Sequence, residues 1–107
     1  MTHTYTARMY GGTATADGDT QDTPIRTKWA RELTFLVDIT ALAGTLDLEF
    51  QIYNPLTTKW HKLATFDTFT STGTDEGFIQ YGIGQEIAVK YGISNSATFT
   101  VDAQIKT

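Results

Sequence analysis

Asp17-Gly18-Asp19, with Asp22 close by, places three acids within six residues. Hard cations are held by clustered carboxylate oxygens, so a calcium loop is the chemistry this run invites. The EF-hand pattern fails here, because the third acid is misplaced and Lys28 stands where the bidentate Glu belongs. The run reads instead as a solvated acidic loop, and no metal is expected. His3 and His61 are the only histidines, and neither has a HxxxH or HExxH partner, so zinc lacks a ligand set. The absence of cysteine removes thiol chemistry and Cys-ligated zinc together. Glu32, Glu49, Glu76 and Glu86 are candidates for a glycosidic carboxylate pair, but Glu49 alternates with Asp47 on the solvent side of a strand pattern. No GxSxG or GxxxxGK[ST] element occurs, and Gly82-Ile83-Gly84 lacks the third glycine of a dinucleotide loop. The expectation is a protein that is not an enzyme and carries no cofactor.

Aromatic residues are the second chemical resource. Phe35, Phe50 and Phe99 fall on apolar faces and are accounted for by packing. Tyr10, Trp29, Tyr53, Trp60 and Tyr81 are not. Exposed Trp and Tyr stack on sugar rings or anchor protein interfaces. The structural alternative is that Trp60 caps one end of the fold and Trp29 covers an open edge. Lys59 and Lys62 flank Trp60, but two lysines do not make a nucleic-acid groove. The formal net charge of −4 likewise gives no global support for a nucleic-acid or anionic-membrane partner.

The elements that must position these residues are strands. Thr occupies 21 of 107 positions, while the strong helix formers are scarce. In residues 33–39, Leu33, Phe35, Val37 and Ile39 share one face, and Leu36 breaks the pattern as if this strand were central or covered on both sides. After a turn around Ala43-Gly44, Leu46, Leu48, Phe50 and Ile52 alternate with Asp47, Glu49, Gln51 and Tyr53 without a flaw. Asn54-Pro55 marks the next turn. Residues 59–66 form a third strand, whose Trp60 and Leu63 stand at opposite parity and so predict a bulge or an exposed face. Residues 65–72 are expected to continue or re-enter as a short strand, 73–77 to form a loop, and 77–81 an edge segment. Ile87, Val89 and Tyr91 are in register. In the last strand Ala97, Phe99, Val101, Ala103 and Ile105 line one face. Only residues 26–36 are compatible with a helix, and their β-branched and aromatic content argues against one.

Seven or eight short strands with one apolar face each predict an all-β antiparallel sandwich, jelly-roll-like, with those faces as its core. A chain of this length supports one core. Composition divides it into a polar N-terminal arm, 1–28, and a sandwich domain, 29–107. The arm holds Tyr5, Met9, Tyr10 and Ile25, and two alternatives stand for it: an anchor laid along a neighbour's sheet edge, or, over residues 5–10, the first strand of the same sandwich. The first residues lack a basic region and an apolar run, and no stretch reaches the roughly 20 apolar residues of a membrane span, so a cytoplasmically made chain is expected.

Residues 30–48 carry a further pattern: an R-x-L-x-hydrophobic-D-hydrophobic-T strand, an A-x-x-G-T turn and a second alternating strand. Trp60-His61-Lys62-Leu63 follows as a W-x-x-L element, and Thr98-Phe99-Thr100-Val101 as a closing F-T-V strand. Over residues 30–105 this resembles small β-sandwich proteins encoded among the virion structural genes of tailed bacteriophages. The Asn54-Pro55-Leu56 turn departs from that pattern, and the N-terminal segment has no counterpart. The resemblance implies a particle component, a head decoration or cementing protein on the capsid surface that binds the major capsid protein or another virion protein. A neck or tail position is the variant of that reading. A homo-oligomer, with a trimer favoured, fits the three-fold sites of a capsid. The interface candidates are then Tyr5, Met9, Tyr10, Ile25, Trp29, Tyr53, Trp60 and Tyr81. The alternative function is a carbohydrate-binding module that uses Trp60 and Tyr53 as a stacking platform.

Overall fold

The computed structural model describes residues 4–27, 30–81 and 86–107, without the side chains of 78–81. Strands make up 72% of the described residues, in two antiparallel sheets packed face to face. In chain order they are β1 (Thr4–Ala14), β2 (Gly18–Asp19), β3 (Ile25–Arg26), β4 (Glu32–Ala43), β5 (Leu46–Asn54), β6 (Lys59–Thr65), β7 (Gly73–Tyr81), β8 (Glu86–Ile93) and β9 (Ser96–Lys106). One sheet has the order β1-β9-β4-β7 and the other β2-β8-β5-β6, with β3 paired beside β2 on β8. With β3 set aside, this is the eight-strand interleaving of a jelly roll, in which consecutive strands pass from sheet to sheet except at the β5–β6 hairpin.

The alternating residues explain why the sheets meet. Leu33, Phe35, Val37 and Ile39 of β4 are buried, as are Leu46, Leu48 and Phe50 of β5. Ile87 and Val89 of β8 and the five apolar residues of β9 complete the core. At its centre Phe35 and Phe50 stack across the gap with ring centroids 3.8 Å apart. Ile52, the last residue of its alternation, is only half-buried because β5 runs out past the end of the core. Leu36 points the other way and is half-exposed; β4 is central in its sheet but is not covered on both sides.

Two expectations are corrected, and of the two alternatives for the N-terminal segment the strand is the one present. The polar N-terminal segment is woven into both sheets: β1 pairs with β9 along ten residues, and β2 and β3 pair with β8. A sparse apolar content suffices because a bulge between Arg8 and Tyr10 turns both Met9 and Tyr10 inward. Residues 73–77 are not a loop but the first half of β7, which pairs with β4 from Gly73 onward. Residues 66–72 form no strand beyond the single bridge between Leu46 and Phe69. Their Phe66 and Phe69 turn inward instead and extend the aromatic core, Phe66 meeting Phe50 edge-on at 5.5 Å.

Phe66 closes the open side of the sandwich between the edge strands β6 and β7, and Gly77 makes room for it. A Cβ at Gly77 would collide with the tip of the Phe66 ring, at Cζ and Cε1. Gly77→Ala is therefore expected to destabilise the fold by about 1–3 kcal/mol, as overpacking does. In urea titrations the Gly77→Ala/Phe66→Ala double variant should lose less than the sum of the two single losses, since the second truncation removes the clash. Deleting residues 1–14 strips β9 of its partner and uncovers Met9 and Ala14; the expected result is loss of the cooperative thermal transition, read by circular dichroism.

Candidate interaction surface

The β5–β6 hairpin carries the one large apolar side chain that is almost fully exposed among the described residues: Leu56, at 93%. Its loop is built by local chemistry. The Asn54 side-chain oxygen accepts a hydrogen bond from the Leu56 N–H at 3.0 Å, and Pro55 presets the first bend. The loop closes through Thr58, which has a φ of 55°. A β-branched residue in the left-handed region is strained by about 1–3 kcal/mol, and glycine or asparagine is the usual choice there.

At the base of the loop, Tyr53 and Trp60 face each other as a cross-strand pair, with centroids 5.1 Å apart and planes inclined by 51°. Both are half-buried. Beside them lies a shallow depression of about 320 Å³ lined by Ile52, Tyr53, Asn54, Pro55 and His61. The inclination leaves the two rings without the common plane on which a sugar would lie across both. From Phe50 to Phe66 there is no Asp or Glu, but there are Lys59, His61 and Lys62, so this end is basic in a chain of net charge −4. The bulge predicted in β6 is present: Gln51 faces Lys62 and Phe50 faces Ala64, which leaves Leu63 as the extra residue.

A second concavity, about 300 Å³, lies on the outer face of the other sheet. Half-exposed Leu36 lines it among Asp38, Thr74, Asp75, Glu76 and Thr100. Asp102 also reaches it but is held by Arg8 at 2.9 Å, and this pair raises the Arg8 pKa through hydrogen bond and charge. A third hollow, about 270 Å³, opens where β6 bends away from β5. Its carboxylates already have partners: Asp47 accepts from the Thr68 hydroxyl at 2.5 Å and Glu49 from the Gln51 amide at 2.8 Å.

The other sequence candidates are dispersed. Tyr5 is 46% exposed on the edge strand β1. Met9, expected to reach for a partner, is buried in the core. Tyr10 is half-buried, stacked on Phe99 at 4.5 Å and against Tyr91 at 4.8 Å; burial, followed by the nearby Tyr91, raises its pKa. Ile25 packs on the core from the β3 side. The backbone of Tyr81 pairs with Glu32, while its side chain, Trp29 and His3 lie outside the described residues. Only Tyr53 and Trp60 are brought together. Leu56 was missed as a site residue, although its place inside an Asn-Pro-Leu-Thr-Thr turn was a signal.

The acidic run has structural employment. Asp17 accepts the Ile93 N–H at 2.7 Å, and Asp19 accepts the Gln21 N–H at 3.0 Å, so both carboxylates tie down turns. Among the described residues no group of three or more His, Asp or Glu side chains is disposed to hold a metal ion. Glu32 and Glu86 are likewise engaged, by Lys106 and Arg26.

Compared with solved structures, the chain is similar to the SPBc2 prophage-derived protein YomS at a TM-score of 0.64 and 14% identity, covering 100% of this chain and 96% of that one. It is also similar to PirA, at 0.55 and 16% over 96% and 92% of the two chains. The mitogen YPM, derived from Yersinia pseudotuberculosis, aligns at 0.51 and 16% over 98% and 86%. At these identities the likeness is one of fold. No family model matches the sequence. No curated protein matches it either.

Strain at the loop yields a direct test. Thr58→Gly is expected to stabilise the protein by about 1 kcal/mol, a rise of roughly 4–8 °C in melting temperature for a domain near this size. An unchanged or lower melting temperature would show that the left-handed turn carries no strain.

Proposed function

We propose that this chain is a non-enzymatic structural component of a bacteriophage particle, a capsid decoration protein that binds the major capsid protein. The observation that carries the reading is the end-to-end fold likeness to a prophage-derived protein, with nearly all of both chains aligned. The strand-and-turn pattern over residues 30–105 supports it from the sequence side. The surface adds a means of attachment. An exposed leucine on a taut hairpin, backed by Tyr53 and Trp60, is the kind of apolar anchor that seats in a partner's pocket, and aromatic residues dominate such contacts. Because the two rings are inclined rather than coplanar, protein contact is preferred here to a saccharide platform.

The test is compositional. Particles purified by density gradient from a lysate of the source phage should contain the chain in copy number commensurate with the capsid protein, counted by quantitative mass spectrometry. Immunogold labelling should mark the head. A handful of copies per particle would move it to the neck or tail, and absence from the particle would overturn the reading.

A further inference from the structure

We propose that the basic hairpin of one copy docks into the acidic concavity of the next, so that the chain assembles head to tail with itself. Both halves of the contact are present on one chain. The hairpin offers Leu56 at its tip, 93% exposed, with Lys59 and Lys62 beside it and no carboxylate from Phe50 to Phe66. The concavity offers Leu36 as its apolar floor with Asp38 and Glu76 on the same face, and its volume of about 300 Å³ admits a leucine side chain. Neither set of charges is spent within the fold. The ion pairs among the described residues are Arg8 with Asp102, Arg26 with Glu86 and Lys106 with Glu32, and none of them uses Lys59, Lys62, Asp38 or Glu76.

The two surfaces share no residue and lie on different sheets. A contact between them is therefore heterologous, with each copy offering its hairpin forward and its concavity back. Such contacts close into rings when the rotation permits, and otherwise extend as filaments. Opposite charges on the two surfaces also exclude hairpin-to-hairpin and concavity-to-concavity pairing, which fixes direction. This contact rests on the chain's own charge and shape and stands apart from the particle role: a self-assembling chain that is absent from particles would separate the two.

Sedimentation velocity of the full chain over a concentration series tests it. The expected result is reversible association at low salt, weakened as rising ionic strength screens the charges. Lys59→Glu/Lys62→Glu and Asp38→Lys/Glu76→Lys should each associate about tenfold more weakly or worse. Mixed in equal amounts they should associate again, because each reversed surface then meets its complement. Leu56→Ser, a change at a solvent-exposed tip that leaves the fold intact by circular dichroism, should weaken association without altering its salt dependence. A wild-type chain that stays monomeric throughout, variants that associate unchanged, or a mixture that fails to recover would each overturn the proposal.

Discussion

Everything in this molecule hangs on the meeting of two apolar sheet faces, and the Phe35–Phe50 stack at 3.8 Å marks where they meet. Each sheet alone would expose one face of alternating apolar residues to water, so neither is stable without the other. The packing also dictates the surface. Because inward and outward residues alternate, fixing Phe35, Val37 and Ile39 in the core obliges Leu36 and Asp38 to face out. Fixing Leu48 and Phe50 likewise puts Glu49, Gln51 and Tyr53 on the outer face of their sheet, where Gln51 is itself covered. The acidic concavity and the aromatic pair are both consequences of one buried alternation.

Charge then tunes the register rather than the stability. Each of the three ion pairs joins residues directly opposite on neighbouring strands: Arg8 with Asp102, Arg26 with Glu86, Glu32 with Lys106. Exposed pairs of this kind add about 0–1 kcal/mol each. A slip of one residue would part every one of them while turning the core face outward, so charge and burial penalise the same error. The outer face over β8 and β5 is fastened by a different device. Gln21, from the turn between β2 and β3, donates to Gln51 at 2.7 Å, and Gln51 in turn donates to Glu49. The small strands are thus tied to the sheet by side chains as well as by pairing.

What the sequence disclosed was whatever depends on period two. The faces of β4, β5 and β9, the bulge in β6 and the sandwich itself follow from alternation and turn residues. The misreadings share a physical cause. β1 carries few apolar residues because an edge strand needs only one side of its backbone paired, and its bulge scrambles the parity by which Met9 and Tyr10 would be recognised as inward. Residues 73–77 are rich in Gly, Thr and acid, which resembles a loop, yet an exposed edge strand tolerates that composition. The partnership of Tyr53 and Trp60 was a guess in the sequence, because it depends on a register across a turn whose length had to be known first. Leu36 and Glu76 reach one concavity by cross-strand pairing, which no local pattern announces.

The β5–β6 hairpin differs from every other element in what it returns to the fold. β4, β5, β8 and β9 bury most of their apolar residues, and even the turn between the two-residue strands engages buried Gln51 through Gln21. The hairpin loop buries nothing large, holds its one big apolar side chain in water, and keeps a threonine in a left-handed turn. Each of these features works against stability, and a glycine with a polar tip would remove all of them without touching the core. Local cost with no local return points outward, to a contact made by the assembled protein. The orientation of that contact is set by the sheets: β5 carries the chain about 26 Å from the Leu46 end to the Asn54 end, at about 3.3 Å per residue, and so holds the tip clear of the core that fixes its direction.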